Sequence, residues 1–130
     1  MKKFLLVFLV FAITTSGLLC FASCKADVLA DAYEWIIAEY PSAAGCFYLS
    51  DDHSFVSVDT NPYDLDDYFI SSRYTAVERF NDCLGLPDYI WEEMIRTSAS
   101  DGRQQATANG ITVSWKYHPD RGLEATYRRS

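Results

Sequence analysis

Residues 111–128 read ITVSWKYHPDRGLEATYR and carry the clearest structural pattern of the chain. Apolar and polar side chains alternate from Ile111 to His118, and again from Leu123 to Arg128. A period of two is typical of strands with one buried face, and the HPDRG segment between the two runs favours a turn. This stretch therefore predicts an antiparallel β-hairpin with one face in the core.

The alternation also predicts the register of the hairpin. Pairing Trp115 with Ala125 directs the apolar side chains to one face and brings Lys116 opposite Glu124 on the other. A slip of one residue would expose the aromatic rings, so we expect this register to be well determined.

The preceding segments predict three helices and a second hairpin. Apolar side chains recur every three or four residues in the helical segments, which are residues 27–40, 72–84 and 89–96. Short apolar runs at 45–49 and 55–59 predict two strands, and the polar residues 98–110 are expected to form a loop. The order α-β-β-α-α-β-β predicts a two-layer α+β domain, in which helices cover one face of antiparallel hairpins.

Residues 1–23 have the layout of a secretory signal peptide. Lys2 and Lys3 precede an unbroken apolar run, FLLVFLVFA, and a softer segment follows it. We therefore leave this segment out of the fold and assign residues 24–130 to a single small domain.

The FASC segment, residues 21–24, resembles the lipobox of bacterial lipoproteins, in which a small residue precedes a cysteine that is lipidated and becomes the N terminus. Its phenylalanine departs from the aliphatic residue usual in that family. The resemblance implies lipidation of Cys24 and a cell membrane anchor. Two alternatives stay open: cleavage after Ala22 or Ala30, which would give a secreted protein, and an uncleaved anchor over residues 4–22, close to the roughly 20 residues that span a bilayer.

The remaining cysteines follow from this assignment. Cys20 leaves with the signal, and if Cys24 carries lipid, Cys46 and Cys83 remain as an even pair. Outside the cytosol such a pair predicts a Cys46–Cys83 disulfide, with two buried thiols as the alternative. Neither has a second Cys or a His at ligand spacing, which disfavours a zinc site.

Charge is distributed unevenly along the chain. Residues 26–72 contain ten acidic residues and no Lys or Arg, whereas residues 73–130 contain eight acidic and eight basic residues. Because nucleic acid binding depends on cationic contacts to phosphate, a nucleic acid partner is not expected. A membrane contact is expected only through the lipid anchor.

The loop at residues 59–67 concentrates acidic and tyrosine side chains. A possible binding face consists of Tyr63, Asp64, Asp66, Asp67 and Tyr68. Exposed tyrosines beside acids suit a basic protein or a saccharide. The carboxylates could also hold calcium, although the EF-hand spacing is absent and the metal stays unknown.

Catalytic motifs are missing from the chain. His53 and His118 are the histidines, and neither lies in a nucleophile elbow, an HExxH motif or another recognised signature. No catalytic residue is assigned and no cofactor is expected.

The C-terminal third carries a resemblance. Residues 84–94, 99–104 and 111–124 are similar to small exported proteins of anaerobic Gram-positive bacteria, a group that implies a bacterial cell-surface setting but no activity. We therefore expect a non-catalytic surface module that binds an envelope or extracellular protein or peptide. The alternatives are a calcium- or saccharide-binding envelope accessory and a small envelope hydrolase centred on His53 or His118.

Overall fold

The computed structural model describes residues 27–64 and 71–130. The predicted signal peptide, the lipidation site Cys24 and three residues of the predicted binding face lie outside these ranges; the three are Asp66, Asp67 and Tyr68. Within the described ranges, no helix has the length and apolar character needed to cross a membrane.

The described chain forms three α-helices and five strands. The helices are α1 (Val28–Glu39), α2 (Ser71–Cys83) and α3 (Asp88–Arg96). The strands are β1 (Phe47–Leu49), β2 (Phe55–Asp59), β3 (Gln104–Ala108), β4 (Ile111–His118) and β5 (Gly122–Arg129). Short 3₁₀ helices cover Pro41–Cys46 and Ala99–Asp101. The strands form one antiparallel sheet in the order β1-β2-β5-β4-β3, which confirms the predicted α+β class.

The predicted register of the C-terminal hairpin is confirmed. Trp115 pairs with Ala125, and Lys116 pairs with Glu124 on the opposite face. The Lys116 Nζ and Glu124 Oε2 atoms are 3.5 Å apart. β5 also pairs with β2, so the two predicted hairpins join into a single sheet.

Helices cover one face of this sheet, and the core lies between the two layers. Val56, Val113 and Tyr127 point into it from the strands, and Phe80 of α2 meets them from the helical side. The ring centroids of Phe80 and Tyr127 are 4.8 Å apart at an interplanar angle of 85°, an edge-to-face contact. The alternation seen in the sequence therefore sorts buried from solvent-facing residues across the sheet.

One strand was not predicted. Gln104–Ala108, part of the expected polar loop, forms β3 and pairs with β4 over five residues. Its sequence QQATA lacks the large apolar residues that mark a buried strand. Pairing with β4 therefore stabilises β3 more than its own side chains do.

The predicted Cys46–Cys83 disulfide is wrong for this structure, in which both cysteines are free. Cys46 is buried near the first turn of α2, where Arg73 and Asp59 interact electrostatically with its thiol. Cys83 is exposed at the other end of α2, ten residues or about 15 Å along the helix from Arg73. A disulfide requires Cα atoms within about 7 Å, so this arrangement does not place the two thiols for bridging.

Candidate binding face

The second face of the sheet is uncovered: no helix among residues 27–64 and 71–130 packs against it. We call it the open face. It carries the solvent-side residues of all five strands, which alternate with the core residues. Cross-strand pairing arranges the solvent-side residues in three rows that run across the strands.

The central row is mainly hydroxylic. Cross-strand pairing aligns Tyr48, Ser57, Thr126, Ser114 and Gln105 from β1 to β3. These side chains can donate and accept hydrogen bonds without carrying charge. The row therefore offers a flat, neutral surface for a polar ligand, with an exposed tyrosine at one end.

A second row is charged. Asp59 of β2 lies directly opposite Glu124 of β5, and Glu124 lies opposite Lys116 of β4. Like charges in directly opposed positions of a sheet are destabilising. Lys116 forms an ion pair with Glu124, whereas no cationic group of the described residues lies within 4 Å of the Asp59 carboxylate.

The pKa of the Asp59 carboxyl is raised above its ordinary value. Burial is the largest cause, and the negative charges of Glu124 and Asp64 add to it. The Asn61 N–H, which donates to Asp59 Oδ1 at 2.9 Å, and the Arg121 charge oppose the shift. A carboxylate with a raised pKa in a hollow is a common feature of functional sites.

The third row runs from Phe55 of β2 through Arg128 of β5 to Thr112 of β4, and its one aromatic ring lies beside Tyr48 of the central row. The Phe55 ring lies 6.2 Å from the Tyr48 ring, centroid to centroid, and the Arg128 guanidinium carbon lies 5.6 Å from the Phe55 centroid. Tyr48 itself remains 53% exposed. An amphipathic ring left exposed beside polar groups is typical of contact surfaces.

A hollow of about 290 Å³ opens on this face between the charged row and the hydroxylic row. Asp59, Glu124, Tyr48 and Arg103 all line it. Arg103 reaches across β4, where its Nη1 donates to Ser114 Oγ at 2.7 Å. The hollow therefore combines two opposed carboxylates, an aromatic ring and one guanidinium that is already hydrogen-bonded.

The described part of the predicted binding face borders this hollow. Tyr63 is 71% exposed, and its hydroxyl lies 3.7 Å from the position a Cβ on Gly45 would occupy, at the rim. Asp64 has a left-handed backbone (φ 49°) and its Oδ1 lies 3.8 Å from Arg121 Nε. Neither lies on the strands. Residues 60–64 thus extend the open face at the end that holds Asp59.

Sequence reasoning missed the opposed carboxylates. The C-terminal alternation predicts a solvent-facing Glu124, whereas the short apolar run at 55–59 predicts only a strand that ends at Asp59, and the meeting of the two carboxylates depends on the β2–β5 pairing. This pairing joins strands more than 60 residues apart, and no local signal determines it.

The two histidines of the hydrolase alternative hydrogen-bond to an aspartate and to a backbone N–H. His53 Nδ1 lies 2.9 Å from Asp27 Oδ2, while His118 Nδ1 accepts the Asp120 N–H at 3.2 Å within the β4–β5 turn. In the described part of the chain, no serine or cysteine is hydrogen-bonded to either imidazole. The same residues contain no cluster of three or more His, Cys, Asp or Glu that could hold a metal ion.

Comparison with protein families, with curated proteins and with solved structures finds no match to this chain. The function therefore has to be inferred from the chemistry of the open face itself.

Proposed function

We propose that this domain is a non-catalytic binding module that recognises a protein or peptide through the open face. The observation that carries the proposal is the opposed pair Asp59–Glu124 in the hollow. Such a pair lowers stability, and natural proteins commonly accept that loss where function requires it. A Lys or Arg side chain entering the hollow would neutralise the unpaired carboxylate of Asp59.

The groups around the hollow suit the other parts of a basic peptide. The hydroxylic row, with Ser57 and Thr126 at its centre, can hydrogen-bond to the polar groups of an extended peptide. Tyr48 offers a rigid ring that loses little conformational entropy on contact. The acidic residues of the first half of the chain would attract a basic partner before contact.

A titration with two peptides tests this proposal. The probes are a fluorescent hexapeptide of alternating Lys and Ser and its Glu and Ser counterpart, followed by anisotropy at low and high salt. The basic peptide is expected to bind and to weaken with salt, and Asp59→Asn and Glu124→Gln should each lower its affinity about tenfold. Asp52→Asn, which removes an exposed carboxylate on the β1–β2 turn, is the matched control and should leave the affinity unchanged.

Spectroscopic mapping gives the second readout. Amide shifts on adding the basic peptide are expected at Tyr48, Ser57 and Thr126, and not on the helical side of the sheet. Equal binding of both peptides, or shifts confined to the helices, would contradict the proposal.

A saccharide is the second candidate ligand. It is favoured by the row of hydroxyl and amide side chains beside the exposed Tyr48, because sugars offer matching hydroxyls and an apolar face for the ring. Calorimetry with soluble cell-wall fragments should then show heat that is lost in Tyr48→Ala and kept in Asp59→Asn. Calcium binding by the loop at 59–67 stays a prediction.

We also propose that the module is exported and held at a membrane by lipid on Cys24. The signal-like residues 1–23 and the small residue before Cys24 support this assignment. An anchor of this type would present the open face to proteins near the membrane surface.

A further inference from the structure

β3 forms one edge of the sheet. It pairs with β4 on one side, and no strand of the described residues pairs on the other. Edge strands expose N–H and C=O groups that can pair with another strand, and proteins usually block them with charge, Pro, a bulge or short length. β3 has none of these: its five residues are neutral and pair continuously with β4. The opposite edge, β1, has three residues and directly follows a 3₁₀ helix.

Helix α3 runs along this edge, antiparallel to β3. Just past its C-terminal end, Thr97 Oγ1 accepts the indole N–H of Trp115 at 2.8 Å, and Trp115 is the cross-strand partner of Gln104. Before its N-terminal end, the Leu84 carbonyl accepts a hydrogen bond from Asn109 Nδ2 at 2.9 Å, just beyond the last residue of β3. The two elements therefore match in position and in length.

One side of α3 flanks the edge. Glu93 and Arg96 line a hollow together with Gln104, so they lie on the β3 side of the helix. Tyr89, one turn before Glu93, occupies the same side and is 53% exposed. The free edge is thus bordered by an aromatic, an acidic and a basic side chain, in that order along α3.

We propose that β3 pairs antiparallel with β3 of a second copy, which makes the protein a symmetric dimer. A two-fold axis perpendicular to the sheet at Ala106 pairs all five residues and places Gln105 opposite the partner subunit's Thr107. It also keeps the helices of both copies on the same side of the joined sheet. The small Ala106 side chain on the axis allows the strands to approach.

The side chains of α3 favour a second copy over an unrelated strand. Across this axis the two α3 helices run antiparallel, so Arg96 of one copy comes opposite the partner's Tyr89, as in a cation–π contact. The two Glu93 side chains come close to the axis, where the two Arg96 side chains offset their charge. Arg96 is 76% exposed and its ion pair with Glu92 spans 3.5 Å, so its side chain can reorient.

Cysteine cross-linking of the full-length chain in a mild detergent tests the proposal. Thr107→Cys and Thr112→Cys are a matched pair, because the two threonines are cross-strand partners with hydroxyls 2.9 Å apart. The two positions differ in exposure, Thr107 being exposed and Thr112 half-buried, and in distance from the edge. Across the proposed axis the Thr107 positions lie within about 10 Å, and the Thr112 positions are separated by two further strand spacings of about 4.8 Å each. Both variants carry Cys83→Ser, and that parent gives the background.

A bis-maleimide with a spacer of about 8 Å should convert the Thr107→Cys chain to a product with the mass of two chains plus linker, and leave Thr112→Cys at background. Adding Arg96→Glu should lower the yield several-fold, whereas Arg79→Glu, an exposed charge on α2, should not. No cross-linking at Thr107→Cys, equal yields at both positions, or a product of another mass would overturn the dimer. The peptide titration on the open face is independent of this result.

Discussion

The Tyr127 hydroxyl is fully buried and donates to Asn81 Oδ1 at 2.6 Å, while Asn81 Nδ2 donates to Met94 Sδ at 3.4 Å. Burial raises the pKa of Tyr127, so the phenol stays protonated and keeps its donor role. We predict that Tyr127→Phe lowers the free energy of unfolding by about 1–3 kcal/mol, because Asn81 Oδ1 loses its donor in the core. Urea denaturation at an unchanged m-value measures the loss.

Two further variants separate this hydrogen bond from general effects. Tyr63→Phe removes a hydroxyl at an exposed position and should change stability by less than about 0.5 kcal/mol. The double variant Tyr127→Phe/Asn81→Leu should recover part of the loss, since neither polar partner then remains unsatisfied. A single Tyr127→Phe variant as stable as the parent protein would refute this account.

Asp59 should make the stability of the folded protein depend on pH with a sign opposite to that usual for a carboxylate. Its pKa is raised in the folded protein, so between the ordinary value of 3.8 and the folded value the native state binds more protons than the unfolded state. Stability from this group therefore falls as pH rises. Asp59→Asn, which keeps an acceptor for the Asn61 N–H, should be more stable than the parent at pH 7, and the gain should vanish in acid below the ordinary value.

Asp101 should affect the pH dependence of stability in the opposite direction. It accepts the Ser98 N–H at 2.7 Å and the Ser98 hydroxyl at 3.0 Å, and these bonds lower its pKa. Its contribution is present above the ordinary Asp pKa and is lost as pH falls through the lowered value. Thermal melts recorded over a pH series measure both effects. At pH 7, Asp59→Asn should raise the melting temperature and Asp101→Asn should lower it. Shifts of the same sign would show that the burial of Asp59 does not perturb its carboxyl as described.

At the scale of elements, the start of β5 depends on one glycine. Gly122 has φ +77°, and a Cβ there would lie 2.6 Å from Thr60 Oγ1. That oxygen cannot withdraw easily, because it accepts the Leu123 N–H at 2.9 Å and donates to the Leu123 carbonyl at 3.2 Å. We predict that Gly122→Ala lowers stability by about 2–4 kcal/mol, through backbone strain and disruption of this contact.

Gly110→Ala isolates the backbone part of that effect. Gly110 has φ +73° in the β3–β4 turn, but nothing lies within 4 Å of its would-be Cβ. Gly110→Ala should lower the free energy of unfolding by only about 1–2 kcal/mol, the usual penalty for a non-glycine residue with a left-handed backbone. Chemical denaturation of both variants gives the difference, and equal losses would contradict the role of Thr60.

How far the sequence predicts these elements depends on the strength of their apolar pattern. The β4–β5 register was predictable because a slip would expose Trp115 and Tyr127. β3 was not predictable, because its sequence QQATA has no large apolar residue and its strand conformation depends on pairing with β4. The alternative of two buried thiols is wrong at Cys83, which the helix turns to solvent, since Asn81 and Leu84 occupy the buried side.

The sequence predicts only some features of the open face. Periodicity predicts that Glu124 and Thr126 avoid the core, but not that they meet Asp59 and Ser57 of the strand at 55–59. Composition alone singles out Tyr63 and Asp64: Tyr63 lies at the rim of the hollow, and Asp64 faces Arg121 instead. Sites built by long-range strand pairing are beyond local pattern reasoning, whereas loop composition can indicate which end of the sheet to inspect.

At the scale of the whole molecule, the fold separates the two halves of the charge pattern. The acidic first half supplies α1, β1 and β2, and the neutral second half supplies α2, α3 and β3–β5. In the sheet order β1 and β2 lie together at one side, where Asp59 lines the hollow. An uneven field of this kind steers a basic ligand toward that side, and its effect on the association rate should fall with salt.

The processed form of the whole protein gives the last prediction. The mass of the protein recovered from the membrane fraction should equal a chain that begins at Cys24 and carries lipid, and Cys24→Ser should abolish the lipid increment and release the chain from the membrane. Treatment with reductant should add no protons, because Cys46 and Cys83 are free and lie in different surroundings. Peptide mapping after thiol labelling should find Cys83 modified in the folded protein and Cys46 only after unfolding. A soluble product cut elsewhere would contradict the anchor, and a gain of two protons on reduction would contradict the free thiols, so one experiment tests both independently.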